Sequence, residues 1–279
     1  MPQRKKSDCD FCKGTLKDMI NRFISDMKKY FSYAKYSAKS DLKSEVASSY
    51  LNWLWWILDP LMFMLVYTFI AVIIFRSKVE YFPIFVFIGL TLWNFFNKNV
   101  QGSVKMVRQN SSIVTKVYIP KYMLIIQKML VSGFKMMISF ALVVIMMVIY
   151  RVPVSWRIIY MIPVLVILVL LTFGLSCIAL HYGVFVDDLH NVMQIVLRLM
   201  FYMSGIFYSL GDRLDEPYRS MLLYGNPMAM LIDVARDCML YRTDPSDKML
   251  LLWGVISVLL SVIGVRLIYK YENSYVKVM

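Results

Sequence analysis

The sequence predicts an all-α integral membrane protein with six transmembrane helices. Three observations lead there. Of 279 residues, 59% are hydrophobic and only 18% are charged, whereas soluble domains run near half and a quarter. The apolar residues gather into six runs, most close to the roughly 20 residues that a helix needs to cross about 30 Å of hydrocarbon. The runs also lack the ten-residue alternation of a membrane barrel. Hydrocarbon offers no water to unpaired backbone groups, so continuous apolar spans must be helices. This composition excludes a soluble enzyme, a disordered chain and a fibrous one.

Residues 1–53 read as a basic cytosolic tail carrying an N-terminal amphipathic interface helix. Ile20, Phe23, Ile24, Met27, Tyr30 and Phe31 recur at three- and four-residue spacing, with Lys17, Arg22, Lys28 and Lys29 among them. That pattern suits a membrane surface. No continuous apolar core precedes a small-residue cleavage site, so the segment does not read as a signal peptide. Residues 54–279 form the transmembrane domain. Its spans fall at about 54–75, 82–101, 122–150, 158–182, 192–210 and 249–269. The second must borrow polar residues near Asn97 to reach full length.

Two linkers are unusually long. Segment 97–121 has five basic residues and no acid, and Val100, Val104, Met106 and Val107 sit near helical spacing. A short cytosolic helix across the membrane face fits, presenting Lys105, Arg108 and Lys116. Segment 211–248 carries apolar stretches at 221–223 and 228–231, divided by Gly225-Asn226-Pro227. These are too short to cross a bilayer. They suit extracellular re-entrant helices between spans 5 and 6, forming a lid or gate where protein or a wet cavity covers the backbone.

The net charge of +13 sets orientation. With the N-terminus in the cytosol, the cytosolic segments hold 18 basic residues and the outer ones 9, which favours both termini inside. Segment 211–248 has seven acids against five bases. The positive excess therefore marks a cytosolic face meeting lipid headgroups or a partner, and gives no reason to expect nucleic acid.

No GxxxxGK[ST] loop is present, so uphill transport must draw on ions or on a partner. Ionisable groups within the spans are few: Asp59 beside Pro60, Lys128, Lys135 and Arg198. Lys128 and Lys135 share a helix face; either they meet a polar cavity or an interface, or they touch an anionic substrate. Cys9 and Cys12 form a lone CxxC, for which the sequence offers no further zinc ligands at suitable spacing. Asp187-Asp188 reads as a charged turn, with a metal-dependent glycosyltransferase as the rival reading. Trp53, Trp55, Trp56, Trp93, Phe95 and Phe96 fit either an interfacial belt or a sugar-binding lining.

Several motifs in order carry a resemblance. Ser49, Leu51, Trp55 and Pro60 precede and open the first span, with Asn52 where a Gly is usual. Asn110, Lys116, Val117, Ile119 and Pro120 follow in the second linker. Asp188 matches the Asp of an Arg-Asp pair, with Asp187 in the Arg place. Ser204 and Tyr208 match a Ser-Pro-x-x-Tyr pattern, with Gly205 in the Pro place. Asn226-Pro227, Arg236 and the ending with Tyr271-Glu272, Tyr275 and Lys277 complete it. Over about 42–279 the chain resembles the membrane subunit of ABC-2 type exporters, in the polysaccharide, O-antigen and teichoic-acid branch.

The resemblance implies a permease working as a homodimer with two copies of an ABC ATP-binding subunit. ATP and Mg would be bound by that partner, and this chain would hold no cofactor or metal. The substrate would be a lipid-linked glycan or polyol-phosphate polymer, crossing a bacterial cytoplasmic membrane. Lys105, Arg108, Asn110, Lys116 and Pro120 would belong to the ATPase-coupling segment. Trp53, Trp56, Phe63, Tyr67, Trp93, Phe96 and Tyr202 would line the path. Ser204, Tyr208, Asn226, Pro227 and Arg236 would form the outer gate. The alternatives are an ABC-2 drug or lipid exporter and, less favoured, a glycosyltransferase or a scaffold.

Overall fold

The structure is a computed structural model and describes residues 16–47, 50–70, 79–213, 215–244 and 246–278. The chain ends, Cys9, Cys12, Ser49 and the end of the first predicted span beyond 70 lie outside these residues. Every regular element among the described residues is helical. In order the α-helices are α1 (Leu16–Ala47), α2 (Trp55–Phe69), α3 (Phe82–Ser103), α4 (Met106–Gln109), α5 (Ser111–Val114), α6 (Tyr122–Ile149), α7 (Met161–Phe185), α8 (Leu189–Met203), α9 (Leu210–Arg213), α10 (Tyr218–Gly225), α11 (Pro227–Arg236) and α12 (Asp247–Val278), with short 3-10 turns at Asn52–Leu54 and Trp156–Tyr160. A π-helical turn, Asp237–Tyr241, follows α11.

Among the described residues, three helices are long and apolar enough to cross a membrane by themselves: Tyr122–Ile149, Trp156–Phe185 and Asp247–Glu272. They match the third, fourth and sixth predicted spans. The other three differ for identifiable reasons. Helix α2 is described for 15 residues, about 22 Å of rise. Helix α3 has 22 residues, but Asn94, Asn97, Lys98 and Asn99 crowd its second half. It is the core helix, with Ile84 to Ile88 and Leu92 buried within the chain. Helix α8 ends at Met203 rather than at 210, because Gly205 takes a left-handed φ of 63° that no helix can continue through.

Helix α7 packs along α12. Gly174 lies against the backbone of Leu260 and Ser261, and Gly264 against Cys177 and the Gly174 carbonyl. The Ser261 hydroxyl donates to the Leu170 carbonyl at 2.8 Å. Lipid tails are as apolar as leucine, so helices join in membranes through close backbone approach at such small residues.

Helix α1 is amphipathic as expected. Phe23, Met27 and Tyr30 pack inward on a cluster that includes Tyr122, Phe173 and Tyr275, while Ile20, Ile24 and Phe31 stay exposed. The single helix expected after the second span is instead two short turns, α4 and α5. They part at Asn110, whose φ of −107° and ψ of 22° leave the helical region. Segment 211–248 holds α9, α10 and α11, and α11 is buried from Pro227 to Ile232. It packs against α3 and α7.

The molecule has two distinct ends. One gathers α1, α4, α5, the α7–α8 turn and the last turns of α12. The other joins residues 79–81, 150–160 and 237–244: Tyr241 donates to the Glu80 carbonyl, Arg242 to the Pro153 carbonyl, and Arg157 grips Asp244 through two hydrogen bonds.

Candidate functional site

At the first end, Lys105 and Lys116 are exposed. Arg108 is exposed too, but engaged. It pairs with the Asp187 carboxylate and donates to the Val184 carbonyl at 3.1 Å. Gly183 lies directly on the Val104 carbonyl, where any Cβ would collide. Segment 104–121 is thus tied to the α7–α8 turn. Asp187, which departs from the expected Arg, is the partner of Arg108. The Asn110 amide donates back to the Met106 carbonyl at 2.8 Å, and Pro120 is buried.

A polar network joins both chain ends to this segment. Arg22 donates to the Tyr118 hydroxyl at 2.8 Å and to Glu272 at 3.1 Å. Asp26 accepts from Tyr269 at 2.9 Å and from Tyr122 at 3.3 Å. Burial pushes the Tyr118 phenol up to about 12, with Glu272 adding to the shift and Arg22 opposing it. Sequence reasoning named Arg22 and Glu272 separately but did not pair them, because they lie 250 residues apart.

Between α1, α2, α3 and α6 opens a cleft of about 410 Å³, lined by Glu45, Trp55, Trp56, Asp59, Thr91, Asn94, Lys98, Lys135 and Ser139 among others. Lys135 Nζ meets Glu45 Oε2 at 2.5 Å and lies 5.9 Å from the Trp56 ring. Lys128 does not join it: its ammonium packs on Gly102 of α3. Ser132, which also lines the cleft, shares hydrogen bonds of 2.7 and 2.9 Å with the buried Asn99 behind it.

The aromatic residues form a chain. Phe63 stacks near Tyr67 and Tyr67 stacks on Phe207 at 4.1 Å; Phe207 meets Phe201 edge-on, and Phe201 lies tilted against Trp93 at 5.4 Å, which neighbours Phe96. Tyr202 sits beside Phe201. Phe201 and Phe207 were missed as part of this chain by sequence reasoning, although Phe207 lies within the Ser204–Tyr208 motif and Phe201 just before it. Trp53, Phe63 and Tyr202 are exposed, Trp56 and Tyr67 half-buried, and Trp93 and Phe96 covered within the chain. Helix α8 adds a stripe of exposed Asn191, Gln194, Arg198 and Tyr202, at spacings that share one helix face.

At the opposite end, the predicted gate residues converge. Arg236 is 2% exposed. It donates to the carbonyls of Phe85 (3.0 Å), Gly205 (2.8 Å) and Ile206 (2.9 Å), and its guanidinium stacks 3.4 Å from the Phe85 ring centre. The Asn226 side chain caps α11 by accepting from Met228 and Ala229, and donates to the Ser204 hydroxyl at 3.1 Å. Pro227 opens α11, where a missing N–H is harmless. Tyr208 donates to the Tyr202 carbonyl at 3.0 Å.

Among the described residues no His, Cys, Asp and Glu group could hold a metal ion. What the site presents is a helical bundle with a basic, cross-tied face at one end, a buried polar clamp at the other, and a polar stripe and cleft between. These are the parts of a membrane transporter. The ABC-2 type transporter profile matches residues 35–240, and the chain belongs to that family of transporter membrane subunits. It is similar to the O-antigen export system permease protein RfbA of Klebsiella pneumoniae, 26% identical over 240 residues, which cover 86% of this chain and 92% of that protein. RfbA of Myxococcus xanthus is likewise 26% identical over 239 residues, with the same coverage.

Proposed function

We propose that this chain is the permease subunit of an ATP-driven exporter, moving a lipid-linked surface polysaccharide across a bacterial cytoplasmic membrane. The permeases it resembles carry O-antigen export in their names, which favours polysaccharide over teichoic acid as the cargo. The geometric observation that carries the reading is the α8 stripe. An exposed Arg198 flanked by Asn191 and Gln194 is costly against lipid. Polar groups at that depth face protein or a water-filled path.

In this reading the chain spans six times with both termini cytosolic, and two copies enclose the path between their α2 and α8 faces. Trp53, Phe63, Tyr67 and Tyr202 offer the polymer apolar ring faces, with Trp93 and Phe96 backing them. Segment 97–121 docks an ABC ATP-binding subunit on each copy, which binds ATP and Mg. Lys105 and Lys116 make the outward contacts, while Arg108 and Asn110 hold the segment's shape and Pro120 returns it to the membrane. The far end, with Ser204, Tyr208, Asn226, Pro227 and Arg236, is the outer gate.

Depletion of the chain should abolish surface polysaccharide and leave lipid-linked polymer on the cytosolic side, measured by surface antibody labelling before and after permeabilisation. Unchanged surface polymer in depleted cells would sink the proposal. Lys105→Glu with Lys116→Glu should reduce co-purification of the ATPase at least tenfold, through reversal of charge at a docking face. Full retention of the ATPase would remove those two side chains from the contact.

A further inference from the structure

The cleft between α1, α2, α3 and α6 collects charges that the transport reading leaves unused. Glu45 comes from the end of α1, Asp59 from α2, Lys98 from α3 and Lys135 from α6. Two carboxylates therefore face the same space as two ammoniums, and the Lys135–Glu45 contact at 2.5 Å shows the two signs interleaved. Trp55 and Trp56 add aromatic surface. The volume of about 410 Å³ lies at the low end of small-molecule sites, which run about 300–1,000 Å³. It has room for a headgroup and not for a polymer.

Charge balance selects the ligand. A diphosphate would meet both carboxylates along with both lysines, and like charges in contact weaken an anion site. Lys135 and Glu45 already pair, so a neutral sugar would leave the Asp59 and Lys98 charges without an added counterpart. A zwitterion satisfies both signs, its phosphate against lysine and its ammonium against carboxylate and indole faces. The surroundings suit a lipid tail. Phe134 lies edge-on to Trp56 at 5.7 Å, and exposed Phe134, Met137, Ala141, Val144 and Val148 run up α6 from the cleft. We propose that this cleft binds the zwitterionic headgroup of a membrane phospholipid, with the phosphate at Lys98 and Lys135, the ammonium at Asp59 and Glu45, and the acyl chains along α6.

The test is native mass spectrometry of the purified full chain with phosphatidylethanolamine, phosphatidylglycerol, a glucosyl diacylglycerol and a polyprenyl diphosphate. It needs neither ATPase nor polymer, so its outcome is separate from that of the export assay. The chain should retain phosphatidylethanolamine about fivefold more than phosphatidylglycerol or the glucosyl lipid, as one added ion pair allows. Asp59→Asn should erase that preference, and Lys98→Gln should weaken retention of both phospholipids. Each variant is accepted only with wild-type elution and helicity; if Asp59→Asn fails this, Lys98→Gln decides alone. Equal retention of the lipids, displacement by the polyprenyl diphosphate, or variants that bind as wild type would each overturn the assignment.

Discussion

Gly205 shows how a single departure from a motif has a structural cause. A Pro is expected after Ser204, yet proline's ring fixes φ near −65° and this position requires 63°. The positive φ turns the chain out of α8 and aims the carbonyls of Gly205 and Ile206 at Arg236. Gly205→Ala should destabilise by about 1–2 kcal/mol from the backbone alone, and more because its Cβ would lie 2.8 Å from Leu210. Gly205→Pro should leave no folded protein, judged by thermal melting and size-exclusion profile. Arg236→Lys cannot reach three carbonyls from one ammonium, and should cost about 2–4 kcal/mol for the buried acceptors left unpaired. A melting temperature equal to wild type would refute the clamp. Ser204, Asn226 and Arg236 were individually legible as motif residues. Their convergence was not, because it depends on contacts to Phe85, 151 residues away.

Helices are legible where each is self-sufficient in lipid and obscure where each depends on neighbours. The apolar lengths of α6, α7 and α12 were readable because those helices can meet hydrocarbon alone. Helix α3 hides its polar end against Ser132 and the cleft, yet its bounds, read as 82–101, fall within two residues of Phe82–Ser103; α8 is short and two-faced, and its end at Met203 was not legible. The break at Asn110 is equally invisible, since local spacing favoured a continuous helix. The tie between segment 104–121 and the α7–α8 turn gives a prediction at this scale. Arg108→Asp and Asp187→Arg should each lower transport several-fold while the protein still accumulates in the membrane. The double reversal should recover most of the loss, as coupled pairs do. Absence of rescue would mean that Arg108 acts on the ATPase directly, and that its pairing with Asp187 is incidental.

For the whole molecule, the decisive question is which exposed faces meet lipid and which meet water. Helix α6 presents Val144 and Val148, a purely apolar surface suited to acyl chains. Helix α8 presents two stripes side by side. Val192, Val196, Leu199 and Met203 form an apolar one, and Asn191, Gln194, Arg198 and Tyr202 form a polar one. Lipid would accept the first and penalise the second, because an arginine near the bilayer centre costs about 2.5 kcal/mol or more. A second copy contacting the apolar stripe would leave the polar stripe along a wet channel. With the native cysteines replaced by serine, Gln194→Cys and Arg198→Cys should react with a water-soluble, charged thiol reagent in intact membranes. Val144→Cys should react at least tenfold more slowly, because the thiolate forms poorly in hydrocarbon and the reagent does not enter it. Leu199→Cys should give disulfide-linked dimers under mild oxidation. Equal labelling of all the positions would place α8 in bulk lipid or bulk water, and would remove the path from between the two copies.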